Sequence, residues 1–131
     1  MLSHLSIGVA DIRKSIGFYD AVLGALGYAR LWTSDGAAGY GYPGEKDEPF
    51  AIKQENQKVG LGSSPRSHLA FTAKTREMVS AFHKTATSNG GIDHGEPGLR
   101  PHNSPTYFAA FIRDPDGYVI EAVCHLSEEN S

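Results

Sequence analysis

Two histidines and one glutamate are the residues of this chain best suited to chemistry. His4 begins the segment HLSIGV, His68 begins the segment HLAFTA 64 residues later, and Glu121 lies in the apolar stretch YVIEAVC. Imidazole and carboxylate groups bind Fe, Ni and Zn, and a two-His, one-carboxylate set with open positions is typical of non-haem Fe(II) centres. The three residues therefore indicate a divalent metal ion (Fe, Ni, Mn or Zn) that polarises a substrate at its open positions.

The two histidines belong to an internal repeat with an offset of 64 residues. At this offset Leu5 matches Leu69, Phe18 matches Phe82 and Gly27 matches Gly91. Each copy is predicted to form a strand, a helix that ends at glycine, and three further strands, and a repeat of this kind decides the architecture. The sequence predicts a single domain over 1–131, with a first module at about 1–56, a linker at about 57–66 and a second module at about 67–126.

Period-two alternation assigns the candidate residues to one face of each sheet. In the first strand the apolar set is Leu5, Ile7 and Val9, so that His4 belongs to the other set. The strands at 68 and 118 alternate in the same way, with His68 and Glu121 opposite their apolar sets. If the helices cover the apolar faces, the three candidate ligands point to the uncovered concave side. Cys124 then faces the helices as a small hydrophobic residue.

Composition excludes several function classes. The chain has 131 residues, 40% of them hydrophobic, with 12 Lys and Arg against 15 Asp and Glu, so that no basic surface for nucleic acid is expected. It contains no apolar run long enough for a membrane span and no signal-peptide pattern. Its one cysteine cannot form an internal disulfide. These features predict a cytoplasmic protein that contacts neither nucleic acid nor membrane.

The motifs around the candidate ligands resemble those of the vicinal oxygen chelate superfamily, which includes glyoxalases, extradiol dioxygenases, fosfomycin-modifying enzymes and bleomycin-resistance proteins. The first-module pattern is His4 followed by VAD at 9–11, FY at 18–19 and LGY at 26–28, and the second is SHLAF at 67–71 followed by FIRDPDGYVIE at 111–121. The resemblance implies an α+β fold in which paired βαβββ modules form a curved, partly open eight-stranded barrel with the helices outside. It also implies metal ligands at His4, His68 and Glu121, and a homodimer whose modules pair within or between chains.

One position departs from the pattern of that superfamily. By strand position we match Lys53 to Glu121, and glyoxalases usually have a fourth metal ligand there. A protonated lysine cannot bind a metal, so at most three protein ligands are expected, as in the dioxygenase-like or fosfomycin-enzyme-like members. Alternatively, Lys53 pairs with an anionic substrate, or with Glu121 in a site without metal.

A polar loop before the strand at 106–113 contains three further candidates. Arg100 could hold an anionic group of a substrate, and His102 or Tyr107 could transfer a proton. The alternative is an ordinary solvated loop.

The leading hypothesis is a metal-dependent enzyme that acts on a small oxygen-rich substrate by isomerisation, epoxide opening or oxygen insertion. The alternative is a metal-free protein of the bleomycin-resistance type that sequesters an aromatic or cationic small molecule. Its aromatic wall would consist of Trp32, Tyr40, Tyr42 and Tyr107. A third possibility is a degenerate module that serves only in assembly.

Overall fold

The structure, a computed structural model, describes residues 1–57 and 66–127, and the βαβββ pattern occurs in it twice. The first module consists of β1 (Leu5–Val9), α1 (Ile12–Gly24), β2 (Ala29–Ser34), β3 (Ala37–Gly41) and β4 (Phe50–Gln54). The second consists of β5 (Leu69–Thr72), α2 (Arg76–Ser88), β6 (Ile92–Leu99), β7 (Phe108–Arg113) and β8 (Val119–Cys124). Most of the linker predicted at 57–66 lies outside the described residues.

The strands form two four-stranded sheets with equivalent topology. The first sheet has the order β1-β4-β3-β2 and the second the order β5-β8-β7-β6. In each sheet the first strand of the module pairs in parallel with the last, and the remaining pairs are antiparallel. The described residues form no closed barrel, which agrees with the expected paired and open βαβββ architecture.

Side-chain caps begin both helices. The carboxylate of Asp11 accepts a hydrogen bond from the backbone N–H of Lys14, and the hydroxyl of Thr75 accepts one from the N–H of Met78. Each cap satisfies an amide that the first helical turn leaves unpaired. The two helices contact each other, and each also packs against strands of its own sheet.

The predicted faces agree with which strand residues join the hydrophobic core, although burial alone does not distinguish the two faces of β8, where Glu121 and Val123 are buried as well. Val9, Ile120 and Cys124 are fully buried in the same core cluster, and Leu5 and Leu69 pack against it. One core therefore lies between the helix-covered faces of the two sheets. His4, His68 and Glu121 belong to the opposite strand faces, which we call the open faces.

The turn between β7 and β8 fastens the second module to the first. Asp114 is 3% exposed, and its Oδ2 accepts a hydrogen bond of 2.5 Å from the hydroxyl of the fully buried Tyr19. Burial raises the pKa of both groups, and in Tyr19 the nearby Asp114 raises it further. Asp116 accepts a bond of 2.9 Å from the backbone N–H of Ala10. The DPDG motif at 114–117 thus joins the modules.

Neither helix in the described part of the chain is long and apolar enough to span a membrane.

Candidate functional site

The centre of the candidate site is Glu121, a fully buried carboxylate on the open face of the second sheet. It lies in the middle of the sheet, between Ala70 on β5 and Phe111 on β7. Its Oε1 lies 3.0 Å from Nε2 of His68, and its Oε2 accepts a hydrogen bond of 2.5 Å from the hydroxyl of Tyr107. The structure therefore brings together His68, Glu121 and Tyr107 among the predicted site residues.

A backbone carbonyl fixes the orientation of His68. Its Nδ1 lies 2.9 Å from the carbonyl oxygen of Arg66, and because a carbonyl only accepts, this contact requires a proton on Nδ1. In the neutral imidazole the lone pair then resides on Nε2, which faces the carboxylate of Glu121. A carbonyl bound to one ring nitrogen, with the other nitrogen directed at an acceptor, is the arrangement that orients histidine toward a metal ion.

The residues present fit a divalent metal ion. When Nε2 of His68 carries a proton it forms an ion pair with the carboxylate oxygen 3.0 Å away, and a divalent ion bound by both atoms would take the place of that proton. Two ligand atoms with bonds of about 2.1 Å at a right angle lie about 3 Å apart. Within residues 1–57 and 66–127 no Lys or Arg forms an ion pair with Glu121. A buried carboxylate needs a cationic partner, which either a protonated His68 or a bound divalent ion supplies at this position.

Tyr107 is the last residue of the loop that precedes β7, and its hydroxyl donates to Glu121. Its backbone carbonyl accepts a hydrogen bond of 2.7 Å from the N–H of Arg100, which fixes the loop at both ends. The ring of His125 packs edge-on against the phenol at 5.2 Å. Burial, together with the hydrogen bond to Glu121, raises the pKa of Tyr107 to about 12. At neutral pH the phenol therefore stays protonated and donates its hydrogen bond to the carboxylate of Glu121.

Arg100 lies beside this cluster, whereas His102 is exposed further along the loop. The guanidinium of Arg100 donates to the carbonyl oxygens of Gly98, at 2.9 Å, and Glu96, at 2.7 Å. It also lies over the ring of Phe111, with 5.8 Å from Cζ to the ring centroid. The structure therefore places Arg100 next to the site and gives His102 no contact with Glu121.

The first sheet carries a second group of polar residues on its open face, around His4. His4 is exposed and hydrogen-bonds the hydroxyl of Ser3 at 3.0 Å. The pKa of Glu48 is lowered, first by its own backbone amide, then by the indole of Trp32, and further by the nearby His4 and Lys53. Within residues 1–57 and 66–127 no three His, Cys, Asp or Glu side chains are grouped to hold a metal ion. Within this chain, His4 accordingly does not join His68 and Glu121.

The strand register corrects our placement of Lys53. In the first sheet Ser6 pairs with Ala51, and at the equivalent position of the second sheet Ala70 pairs with Glu121. Ala51 is therefore the counterpart of Glu121, whereas Lys53 pairs with Gly8 and corresponds to Val123. The assignment of Lys53 to the fourth-ligand position was wrong by two residues. The proposed pair of Lys53 with Glu121 is not formed either, because Glu121 contacts His68 and Tyr107.

The four aromatic residues considered as a wall for a flat ligand lie in different places. Tyr40 is buried in the core, where its hydroxyl donates to Asp20 at 2.9 Å. Tyr42 packs on Tyr28, with ring centroids 4.8 Å apart. Trp32 lies over Gly39 on the first sheet, and Tyr107 lies on the second sheet. Trp32 and Tyr40 line one pocket, but Tyr42 and Tyr107 do not, so the four side chains form no common wall.

A cavity of about 270 Å³ opens at the seam between the modules. Its lining is largely apolar and includes Leu5, Phe50 and Phe71, with His4 at its edge. Neither His68 nor Glu121 lines it, although Ala70, which pairs with Glu121, does.

Comparisons with known proteins decide the family. The sequence profile of the Glyoxalase/Bleomycin resistance protein/Dioxygenase superfamily matches residues 1–122. The chain belongs to this superfamily. A protein of Vibrio cholerae named "Probable lactoylglutathione lyase" is 29% identical over 125 residues, which cover 92% of this chain and 87% of that protein.

Solved structures of the superfamily have the same fold. A glyoxalase/bleomycin resistance protein from Albidiferax ferrireducens T118 is 34% identical, with a TM-score of 0.79 over 93% of this chain and 96% of the other. A glyoxalase from Bacillus halodurans, described as putative, is 25% identical with a TM-score of 0.67, and the match covers 95% of each chain.

Sequence reasoning missed two residues that lie beside the candidate site residues of this superfamily member. Phe111 contacts both His68 and Arg100, and Glu48 lies near His4 and Lys53. The alternation along β7 could have placed Phe111 on the open face, because it lies opposite Glu121. Glu48 lies in an irregular segment before β4, where no periodic sequence pattern indicates which way a side chain points. Ala51, at the position where the resemblance implies a fourth ligand, leaves this chain without a metal-binding side chain there.

Proposed function

We propose that this protein is a metal-dependent enzyme that acts on a small substrate whose neighbouring oxygens bind a divalent ion (Fe, Ni, Mn or Zn). His68 and Glu121 would be two of the ligands, and His4 the third. The observation that carries this proposal is the buried Glu121, which lies 3.0 Å from a histidine nitrogen while a carbonyl holds the opposite nitrogen.

His4 would come from a second copy of the chain. The two groups of residues lie on the open faces of different sheets, and the described residues of one chain group only two of the proposed ligands. A homodimer that places the first sheet of one copy against the second sheet of the other would bring His4 to His68 and Glu121. A twofold arrangement of this kind produces two identical sites.

The protein groups favour proton-transfer chemistry, of the isomerase or lyase type, over oxygen insertion or epoxide opening. A bound divalent ion would act as a Lewis acid and stabilise negative charge on substrate oxygens. The phenol oxygen of Tyr107 lies 2.5 Å from Oε2 of Glu121 and donates to it, so that Tyr107 would place a proton donor beside the proposed metal ligand. The similarity to the lyase-named protein of Vibrio cholerae supports the same class.

Metal content per chain tests the proposal. We expect tag-free protein purified without chelator to contain close to one divalent ion per chain. His68→Ala, Glu121→Gln and His4→Ala should each lose most of it. His94→Ala is the matched control, because His94 is exposed on β6 and belongs to neither group. The proposal would be contradicted if His68→Ala kept its metal content, or if the wild-type protein did not bind added divalent ions.

Mixing two inactive variants tests whether the site is shared between copies. His4→Ala retains the second-sheet ligands, and His68→Ala retains the first-sheet ligand. If the site spans two chains, subunit exchange between them restores one intact site per heterodimer, or about a quarter of the wild-type sites at equal mixing. If each chain builds its own site, mixing restores none.

A further inference from the structure

Arg100 carries a positive charge that no acidic side chain of the described chain neutralises. Its guanidinium has five N–H groups, and two backbone carbonyls, those of Gly98 and Glu96, accept from its terminal nitrogens. Among residues 1–57 and 66–127 it forms no ion pair with Asp or Glu. Carbonyl acceptors fix the position of the guanidinium without cancelling its charge, so it remains able to bind an anion.

Arg100 is also held on the same face as the candidate metal ligands. Gly95 pairs with Phe111, and a side chain at Gly95 would lie 3.4 Å from a terminal nitrogen of Arg100, so this space is left to the guanidinium. The ring of Phe111 has Arg100 over its face at 5.8 Å and the imidazole of His68 against it at 5.5 Å. A single aromatic side chain therefore separates the guanidinium from the proposed metal ligand.

We propose that Arg100 binds a carboxylate of the substrate, so that the substrate class is small oxygen-rich carboxylic acids. This inference rests on the proposed function and specifies which molecules the site accepts. The planar guanidinium matches a carboxylate with two parallel hydrogen bonds, and an arginine already fixed by other contacts loses little freedom on binding. Oxygens of the substrate would bind the ion, and its carboxylate would reach past Phe111 to Arg100.

Three hydroxamates that differ in the presence and length of a carboxylate arm provide the test. Acetohydroxamic acid binds a metal through two neighbouring oxygens and carries no carboxylate. The monohydroxamates of succinic and glutaric acid bind in the same way and add a carboxylate on a shorter and a longer carbon chain, respectively. Their affinities for the Zn²⁺-loaded protein are measured by calorimetry. We expect the better-fitting carboxylate compound to bind about 10- to 100-fold more tightly than acetohydroxamic acid.

Variants of Arg100 test whether this residue causes the difference in affinity between the carboxylate compounds and acetohydroxamic acid. Arg100→Gln should abolish the preference for the carboxylate compound and leave the affinity for acetohydroxamic acid unchanged, which also shows that the variant is folded. Arg100→Lys keeps the charge without the planar fork and should retain part of the preference. Arg13→Gln, on the exposed side of α1, is the control and should behave as the wild type.

The outcomes separate this inference from the proposed function. Equal binding of all three hydroxamates, or a preference that survives Arg100→Gln, would overturn the role of Arg100 while the metal site stands. Failure of every hydroxamate to bind in a Zn²⁺-dependent manner would overturn the metal site and this inference with it.

Discussion

Tyr107→Phe removes one hydroxyl and leaves the ring, so it isolates the hydrogen bond to Glu121. A hydrogen bond to a charged group stabilises a protein by about 1.5–3 kcal/mol. Because Tyr107 is only partly buried, water replaces some of this bond, and we expect a loss of about 1.5 kcal/mol in the free energy of unfolding. At this chain length that loss corresponds to a fall in Tm of roughly 6 °C.

Tyr118→Phe is the matched control for this prediction. The hydroxyl of Tyr118 donates to the neutral carbonyl oxygen of Gly8 in the first module, at 2.9 Å, and not to Glu121. We expect it to cost about 1 kcal/mol and to leave Zn²⁺ affinity unchanged. Tyr107→Phe, in contrast, should weaken Zn²⁺ binding about tenfold, because it removes a partner that orients a metal ligand. Equal Zn²⁺ affinity of the two variants would refute the role given to Tyr107.

The pH dependence of Tyr107 provides a second readout. Its pKa is raised from 10.0 to about 12, so folding favours the protonated phenol. The stability that this hydrogen bond contributes is complete below pH 10 and is lost as the pH rises toward 12. A difference titration at 295 nm, wild type against Tyr107→Phe, should show one tyrosine with a midpoint near 12. A midpoint near the ordinary value would show that Tyr107 does not bond the buried carboxylate.

Two further predictions concern the packing that supports the site. Gly39→Ala should cost about 1–3 kcal/mol and shift the fluorescence of Trp32, the single tryptophan, because the new Cβ overlaps the indole and lies 2.9 Å from Cγ of Glu48. Gly17→Ala, which meets nothing within 4 Å, is its control and should leave the spectrum unchanged. Tyr19→Phe should lower the urea midpoint by the equivalent of about 1.5–3 kcal/mol, since it removes the donor to Oδ2 of the buried Asp114, and a loss no larger than that of Tyr118→Phe would contradict this reasoning.

The sequence predicted the strand faces because alternation and burial share one physical cause. Leu5 and Ile120 had to enter the core, which directed the neighbouring His4 and Glu121 the other way. The same regularity explains the error at Lys53. Ala51 and Lys53 are two residues apart and point to the same face, so alternation cannot distinguish them. Only the pairing of β1 with β4, which starts with the bond of 2.9 Å from Leu5 N–H to the carbonyl of Pro49, decides which of them is the counterpart of Glu121.

Irregular segments limited the prediction of the remaining site. β6, which runs from Ile92 to Leu99, leads directly into the polar loop that holds Arg100. Its pairing with β7 shifts at Gly95 and again before Gly98, which breaks the two-residue period. The anion-binding role suggested for Arg100 followed from its charge, and it stays a prediction. Its position over Phe111 depends on these shifts, which no sequence pattern reports.

The hydrogen bonds of the DPDG turn connect residues from opposite ends of the chain. Tyr19 and Asp114 are 95 residues apart, Ala10 and Asp116 are 106 apart, and Gly8 and Tyr118 are 110 apart. Contacts with such large sequence separation form late and slow folding, because the entropy of closing a long loop is lost before they stabilise the chain. During synthesis the ring of Tyr19 can already meet Tyr40 and Phe50 of the first module, but its hydroxyl has no Asp114 to donate to until the second module has been made. The part of the core that α1 shares with α2 stays uncovered during that interval.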